Sequence, residues 1–256
     1  MPETTVPGTT VPEPALLTVA AADGRDLLAA ARGDWSRPVP DCPAWSTADL
    51  VGHMGAILGW MARIVTTGEA VPRSDRETPP ADHSILASWY TAHLDRTLSI
   101  LAAAAPDSAV WTFSSRGDHR VSWWRRRLAV ELAIHRWDAQ HATDPSEAPP
   151  PLDGTVAAAG IEEFVTEFLP GLLARPGLDG LTGSLHLHAT DGASEWWISL
   201  DDKDGAVAVA GHRKADTAIR ATRSDLLLWL TNRQRPSMLE ISGSPEVAGR
   251  WTQLRR

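Results

Sequence analysis

Apolar residues recur at helical spacing in four segments of the first half of the chain. The pattern predicts helices over residues 15–32, 46–65, 84–105 and 122–142. The second segment starts at Ser46 with Asp49 three residues on, which is typical of a capping box, and ends before Gly68. The third stops at Pro106. Four such helices, joined by loops rich in proline and charge, predict a four-helix bundle.

The second half has a different pattern. A proline-rich stretch over residues 143–153 indicates a linker, and a further helix over 155–173 follows it. Alternating apolar and polar runs then predict short strands at residues 184–190, 195–200, 206–211 and 217–222. Glycine and aspartate between them indicate hairpin turns. A helix over 224–233, a strand near 238–243 and a last short helix complete the pattern.

The predicted fold class is therefore α+β, with an N-terminal four-helix bundle and a smaller α+β domain after it. The expected divisions are a disordered tail at residues 1–14, the bundle at 15–145 and the C-terminal domain at 152–256. The tail is assigned from its proline and threonine content.

Composition narrows the function classes. A net charge of −8 argues against a general role in binding nucleic acid or acidic membranes. Cys42 is the single cysteine, so neither an internal disulfide nor a cysteine-based zinc cluster is expected. The first residues lack the features of a signal peptide, and no apolar run is long enough to span a bilayer. We therefore expect a cytoplasmic protein, and the arginine-rich, lysine-poor composition suggests a GC-rich bacterial genome.

Candidate chemistry lies on the apolar sides of two predicted helices. Glu131 and His135 stand four residues apart, in register with Leu128 and Leu132. A carboxylate on such a stripe is costly to bury without a partner. His53 lies on the apolar side of the second helix, so the bundle is expected to bring all three groups together. Two imidazoles and one carboxylate suit catalytic zinc, and also non-haem iron. The simpler alternatives are a packed core histidine and a Glu131–arginine ion pair.

Two motifs resemble those of the mycothiol-dependent maleylpyruvate isomerase family. The first is Cys-Pro-x-Trp followed by Asp-Leu-x-x-His, here Cys42, Pro43, Trp45, Asp49, Leu50 and His53. The second, VELAIHRWDAQ at residues 130–140, is similar to the family's Glu-x-x-x-His pair followed by Arg-Trp-Asp. SDLLLWLTNR at 224–233 resembles the leucine-rich helix of the family's C-terminal domain. The resemblance implies a DinB-like, zinc-binding four-helix bundle and a sterol-carrier-like α+β domain.

The resemblance also implies the site residues. His53, Glu131 and His135 match the family's metal ligands, and Arg233 matches its functional arginine, expected to bind the thiol cofactor or substrate and to serve catalysis. The implied cofactors are zinc, or another divalent metal, and mycothiol as cosubstrate. Leu58 and Gly59 stand where many relatives have His-Arg, and Ser244 follows Gly243 where relatives often have aspartate. These differences bear on the substrate and leave the metal ligands in place.

The predicted function is a zinc-dependent, mycothiol-using thiol transferase or isomerase acting on a small electrophile, by maleylpyruvate-like isomerisation or S-conjugation. A thiol-free zinc hydrolase and a non-catalytic ligand-binding or regulatory bundle are the alternatives. We expect small-molecule partners, no nucleic acid, no membrane, and a monomer or homodimer. Substrates are expected to reach the metal through a cleft between the domains.

Three further features have two interpretations each. Arg125, Arg126 and Arg127 form either an anion clamp or, preferably, a solvated helix end. Asp138, one turn beyond His135, either orients that histidine or is a surface charge. His186 and His188 share a strand face, but the sequence shows no third metal ligand near them.

Overall fold

The structure is a computed structural model, which describes residues 13–173, 182–199, 208–210, 212–233 and 239–253. The predicted disordered tail lies outside the described residues, except for its last two residues, which begin the first helix. Part of the strand predicted at 206–211 also lies outside them. The chain divides into two compact units, with the boundary between Leu152 and Asp153.

The first unit is built from four long helices that agree closely with the predicted ones. They are α1 (Glu13–Ala31), α2 (Thr47–Thr67), α3 (His83–Ala103) and α4 (Val121–Thr143). A short 3₁₀ turn (Arg73–Asp75) lies between α2 and α3. Helix α1 packs mainly along α4, and α2 along α3. Leu27, Leu50 and Trp124 are among the side chains buried where these helices meet.

Local chemistry explains where these helices begin and end. Ser46 and Asp49 form the predicted capping box at α2, with the Ser46 N–H donating to Asp49 Oδ2 at 2.8 Å. Gly68 ends α2 in the left-handed region at φ 75°, which glycine adopts without strain. Asp82 caps α3 by accepting from the Ser84 N–H. Helix α3 ends at Ala103, just ahead of Pro106, because the residue before a proline is disfavoured in a helix.

Helices α2 and α3 approach closely because glycines line their contact. A Cβ added to Gly55 would overlap the Trp89 ring. One added to Gly59 would lie 2.8 Å from the His93 ring. Large aromatic side chains of α3 therefore occupy the space that side chains at these α2 positions would need.

The second unit begins with helix α5 (Gly154–Glu163), which continues through a π-helical turn (Phe164–Phe168) into α6 (Leu169–Leu173). The remaining elements are β1 (Ser184–Ala189), β2 (Glu195–Ser199), β3 (Ala208–Ala210), β4 (Thr217–Ala221), α7 (Arg223–Leu230), β5 (Glu240–Gly243) and α8 (Pro245–Gln253). The strands form one sheet in the order β3-β2-β1-β4-β5. The predicted α+β class is confirmed.

The strand pairing differs in one respect from the series of hairpins that the turn residues indicate. β1 and β2 pair antiparallel, as do β2 and β3, but β4 pairs parallel with β1. The β4 strand therefore crosses back over the β1–β2–β3 meander instead of pairing with its predecessor. Glycine and aspartate mark a turn without specifying which strand the chain joins next, so the hairpin interpretation is wrong at this point.

The C-terminal end of α4 is fastened to the linker that follows it. The buried guanidinium of Arg136 donates to the carbonyls of Pro150 and Pro151 at 3.0 and 3.1 Å, and lies beside the Asp23 carboxylate of α1.

No helix in the described part of the chain combines the length and apolar character that a bilayer-spanning segment requires.

Candidate functional site

His135 is the centre of a polar group inside the helical unit. Its Nδ1 lies 2.8 Å from Oδ2 of Asp138, and its Nε2 lies 3.4 Å from Oε2 of Glu131. The i, i+3 and i, i+4 spacings on α4 place both carboxylates beside the ring. Asp138 is fully buried, so it is an orienting partner and not the surface charge that the sequence left open. An Nδ1–H donated to Asp138 leaves the Nε2 lone pair facing Glu131.

His53 of α2 lies next to this group. Its ring centroid is 5.4 Å from that of His135, in an edge-on arrangement, and 4.5 Å from that of Trp45. Burial, followed by electrostatic interactions with His135, Arg76 and Arg127, lowers the pKa of His53 to about 4. At neutral pH the imidazole is therefore uncharged, which is the form that binds metals.

Glu131 has a second partner. The Arg127 guanidinium, one turn earlier on α4, forms an ion pair with Glu131 Oε1. The simpler sequence interpretation, a glutamate paired with an arginine, is thus observed. It coexists with the His135 contact, because the two partners lie at different oxygens of the carboxylate.

The three arginines at the start of α4 each have a partner within the protein, and the burial of Arg125 contradicts the expected solvated helix end. Arg125 is buried and donates to the carbonyls of Leu101 and Ala104, the last turn of α3, at 2.8 and 2.7 Å. Arg126 pairs with Asp118 at 2.7 Å. These partners come from other segments of the chain, which is why spacing along α4 does not reveal them.

The donor set fits a divalent transition metal. His53, Glu131 and His135 offer two imidazole nitrogens and one carboxylate, and Asp138 holds the His135 ring in one orientation. The fit comes from the type of donors and from the buried orienting carboxylate. As a metal ligand, Glu131 would also remain paired with the Arg127 guanidinium.

Two neighbours of this group were not assigned to it from the sequence. Cys42 Sγ lies 3.8 Å from Asp138 Oδ2, and Trp45 packs on His53. Both belong to the Cys-Pro-x-Trp motif ahead of α2. The motif's proximity to His53 in the sequence is the signal that could have identified them.

Arg233 lies in the other unit, three residues past the end of α7. It is half-buried, and its NH1 donates to the Thr231 carbonyl at 2.6 Å. The chain reaches it through Asn232 in the left-handed region at φ 65°. A guanidinium held by a turn is compatible with an anion-binding role, which stays a prediction.

The sequence and the structure were compared with known proteins. The model of the mycothiol maleylpyruvate isomerase N-terminal domain matches residues 17–140, and that of the family's C-terminal domain matches residues 155–250. The chain belongs to the mycothiol-dependent maleylpyruvate isomerase family. His53, Glu131 and His135 fall within the match to the family's N-terminal domain, and Arg233 within the match to its C-terminal domain.

Solved structures of the mycothiol-dependent maleylpyruvate isomerase have a similar fold. Its crystal structure aligns with a TM-score of 0.56 and 13% identity, covering 88% of this chain and 90% of that one. The crystal structure of a variant with one histidine replaced by alanine aligns with a TM-score of 0.57 and 12% identity over the same shares. At this identity the likeness concerns the fold alone. The curated proteins contain no match to the sequence.

Proposed function

We propose that the protein is a mycothiol-using isomerase or thiol transferase that acts on a small electrophilic acid, with a divalent metal, most simply zinc, in the helical unit. The observation that carries the proposal is the His135 group: an imidazole between two carboxylates, beside a neutral His53, within the family's N-terminal domain.

His53, Glu131 and His135 would hold the metal ion. A bound zinc ion lowers the pKa of a thiol that coordinates it, so that the thiol reacts as thiolate at neutral pH. Asp138 keeps His135 in the tautomer whose Nε2 is free to act as a ligand. Cys42 is the single protein thiol and contacts Asp138, so we assign the reacting thiol to a small molecule.

Two arginines act on the position of His53. Burial contributes most to the lowered pKa of His53, and interactions with His135, Arg76 and Arg127 add to it. The two guanidinium groups would help to stabilise a thiolate or the carboxylates of a maleylpyruvate-like acid bound there.

The thiolate would add to an electrophilic carbon–carbon double bond, forming a C–S bond and leaving a single bond between the two carbons. Rotation about that bond and expulsion of the thiolate give the cis–trans isomer and return mycothiol unchanged. If the adduct is instead protonated and released, the product is the S-conjugate. Both outcomes use the same residues, so the substrate decides between them.

One contact favours a substrate other than that of many relatives. Gly59 stands where they have arginine, and the His93 ring of α3 fills the space beside it. His93 is held in turn by Glu77, at 3.2 Å. An imidazole paired with a carboxylate stands there in place of a permanent cation, which supports the broader thiol-transfer description.

The test is turnover with and without the thiol. Metal-loaded protein is incubated with mycothiol and a panel of unsaturated and halogenated acids, and the products are identified by mass spectrometry. Isomers or conjugates that require mycothiol are expected, together with their loss in His135→Ala but not in His141→Ala, a control on the same helix. Hydrolysis in the absence of mycothiol would instead indicate an enzyme that activates water. If the protein shows no turnover and does not bind mycothiol, it is a non-catalytic binding module.

Arg233 is proposed as the residue that binds a carboxylate of the thiol or substrate, because its planar guanidinium suits that group. Replacement by methionine is expected to raise KM, or to lower kcat/KM, about tenfold or more, since a charge-assisted hydrogen bond contributes roughly 1.5–3 kcal/mol. The metal content should not change. If the kinetics of Arg233→Met are unaltered, a residue other than Arg233 binds the carboxylate.

A further inference from the structure

A second cluster of metal-binding side chains lies on the sheet of the C-terminal unit. His186 and His188 are two residues apart on β1, so they face the same side of the sheet. Glu195, the first residue of β2, is the cross-strand partner of His188 and therefore shares that face. His212 lies two residues past the end of β3, which pairs with β2. The sequence shows the two strand histidines, and the pairing of the strands adds the other two residues.

The four side chains converge on one point. The Glu195 carboxylate lies 3.0 Å from His186 Nε2, 3.1 Å from His188 Nδ1 and 3.1 Å from His212 Nδ1. Among the residues that the structure describes, this is the one group of three or more His, Cys, Asp or Glu whose ligand atoms all lie within 4.8 Å of one another. Ligands about 2.0–2.1 Å from a tetrahedral zinc ion are roughly 3.3 Å apart, so only small side-chain shifts are needed.

Burial is graded across the cluster. His186 is buried, Glu195 and His188 are partly exposed, and 78% of the His212 side chain is exposed. An ion can therefore enter from the His212 side and be held against a buried imidazole. Three imidazoles and one carboxylate are borderline-soft donors, which select zinc and its neighbours over magnesium or calcium.

We propose that His186, His188, Glu195 and His212 form a second divalent transition-metal site, separate from the His53–Glu131–His135 group. Four protein ligands fill a tetrahedral shell, so the site is structural and leaves no position for the reacting thiol. It joins three segments, β1, β2 and the residues after β3, on one side of the sheet. The rival explanation is a metal-free cluster in which the three imidazoles donate to the Glu195 carboxylate.

The test is zinc stoichiometry and affinity in the full chain, measured by titration against a chromogenic chelator. His135→Ala is the first background, and His53→Gln the second in case the first folds poorly; each removes a ligand of the bundle site. In either background we expect one zinc ion per chain. Adding His188→Gln and His212→Gln should weaken its binding beyond the 10–100-fold typical of losing an outer-shell partner.

His83→Gln is the matched control, because this exposed histidine lies in the other unit and should leave zinc binding unchanged. Circular dichroism checks that each variant is folded. Failure of both backgrounds to bind zinc would overturn the proposal, as would equal affinity with and without the His188 and His212 substitutions. Either result leaves the proposed function untouched, since that is tested by mycothiol-dependent turnover.

Discussion

His135 shows, at the scale of single residues, what spacing along a helix can and cannot predict. The Glu131–His135 pair and the apolar position of His53 follow from helical periodicity, and the structure places the His53 ring beside the pair, with its centroid 5.4 Å from that of His135. Periodicity also places Asp138 one turn beyond His135, but not its complete burial, which depends on packing against other segments. The partners of Arg125 are harder still to predict from the sequence, because they are backbone carbonyls at the end of α3.

Asp138 provides a test at this scale. Asp138→Asn keeps the shape of the side chain but weakens its hold on the His135 tautomer, so metal affinity of the bundle site should fall about 10–100-fold. Asp41→Asn is the control, since the Asp41 carboxylate lies 2.6 Å from His141, an α4 residue that is not among the proposed ligands. Competition titration with zinc measures both. Equal affinities in the two variants would mean that Asp138 does not orient His135.

The helices were predictable as elements because their ends carry local signals. Ser46, Gly68 and Asp82 act within their own turns, so the sequence reveals them. The contact between α2 and α3 was not predictable from α2 alone. The need for glycine at Gly55 and Gly59 becomes evident only from the positions of the Trp89 and His93 rings on α3. The parallel pairing of β4 with β1 is equally non-local.

Gly55 tests the close approach of α2 and α3. In Gly55→Ala the new methyl group would overlap the Trp89 ring, and overpacking of this kind costs about 1–3 kcal/mol. Gly171→Ala is the control, because no atom lies near its Cβ position and alanine favours a helix. Urea denaturation should show Gly55→Ala destabilised and Gly171→Ala unchanged or slightly stabilised. A neutral Gly55→Ala would show that the two helices can separate freely.

At the scale of the whole molecule, each compact unit has its own core and its own proposed metal site. Binding to the folded state alone stabilises that state by about 2.7 kcal/mol when the free ion is at 100 times its Kd. Chelation should therefore lower the unfolding temperature of both units in calorimetry. His135→Ala should remove the shift of the helical unit only, and His188→Gln with His212→Gln that of the other unit. If either set of substitutions alters the chelation-induced change in unfolding temperature of both units, the two metal sites are not independent.

The proposed function requires that a metal ion in the helical unit binds the thiol of a small molecule. Cobalt(II) in place of zinc makes the event visible, because a thiolate bound to cobalt gives a charge-transfer absorption band. The measurement uses the chain with His188→Gln and His212→Gln, so that cobalt in the second site does not contribute. Cys42→Ser is added because Cys42 contacts Asp138 and is the one protein thiol. We expect the band to appear on addition of mycothiol and to be lost in His135→Ala. If cobalt is bound but mycothiol produces no such band, the metal does not bind the thiol and the proposed function is wrong.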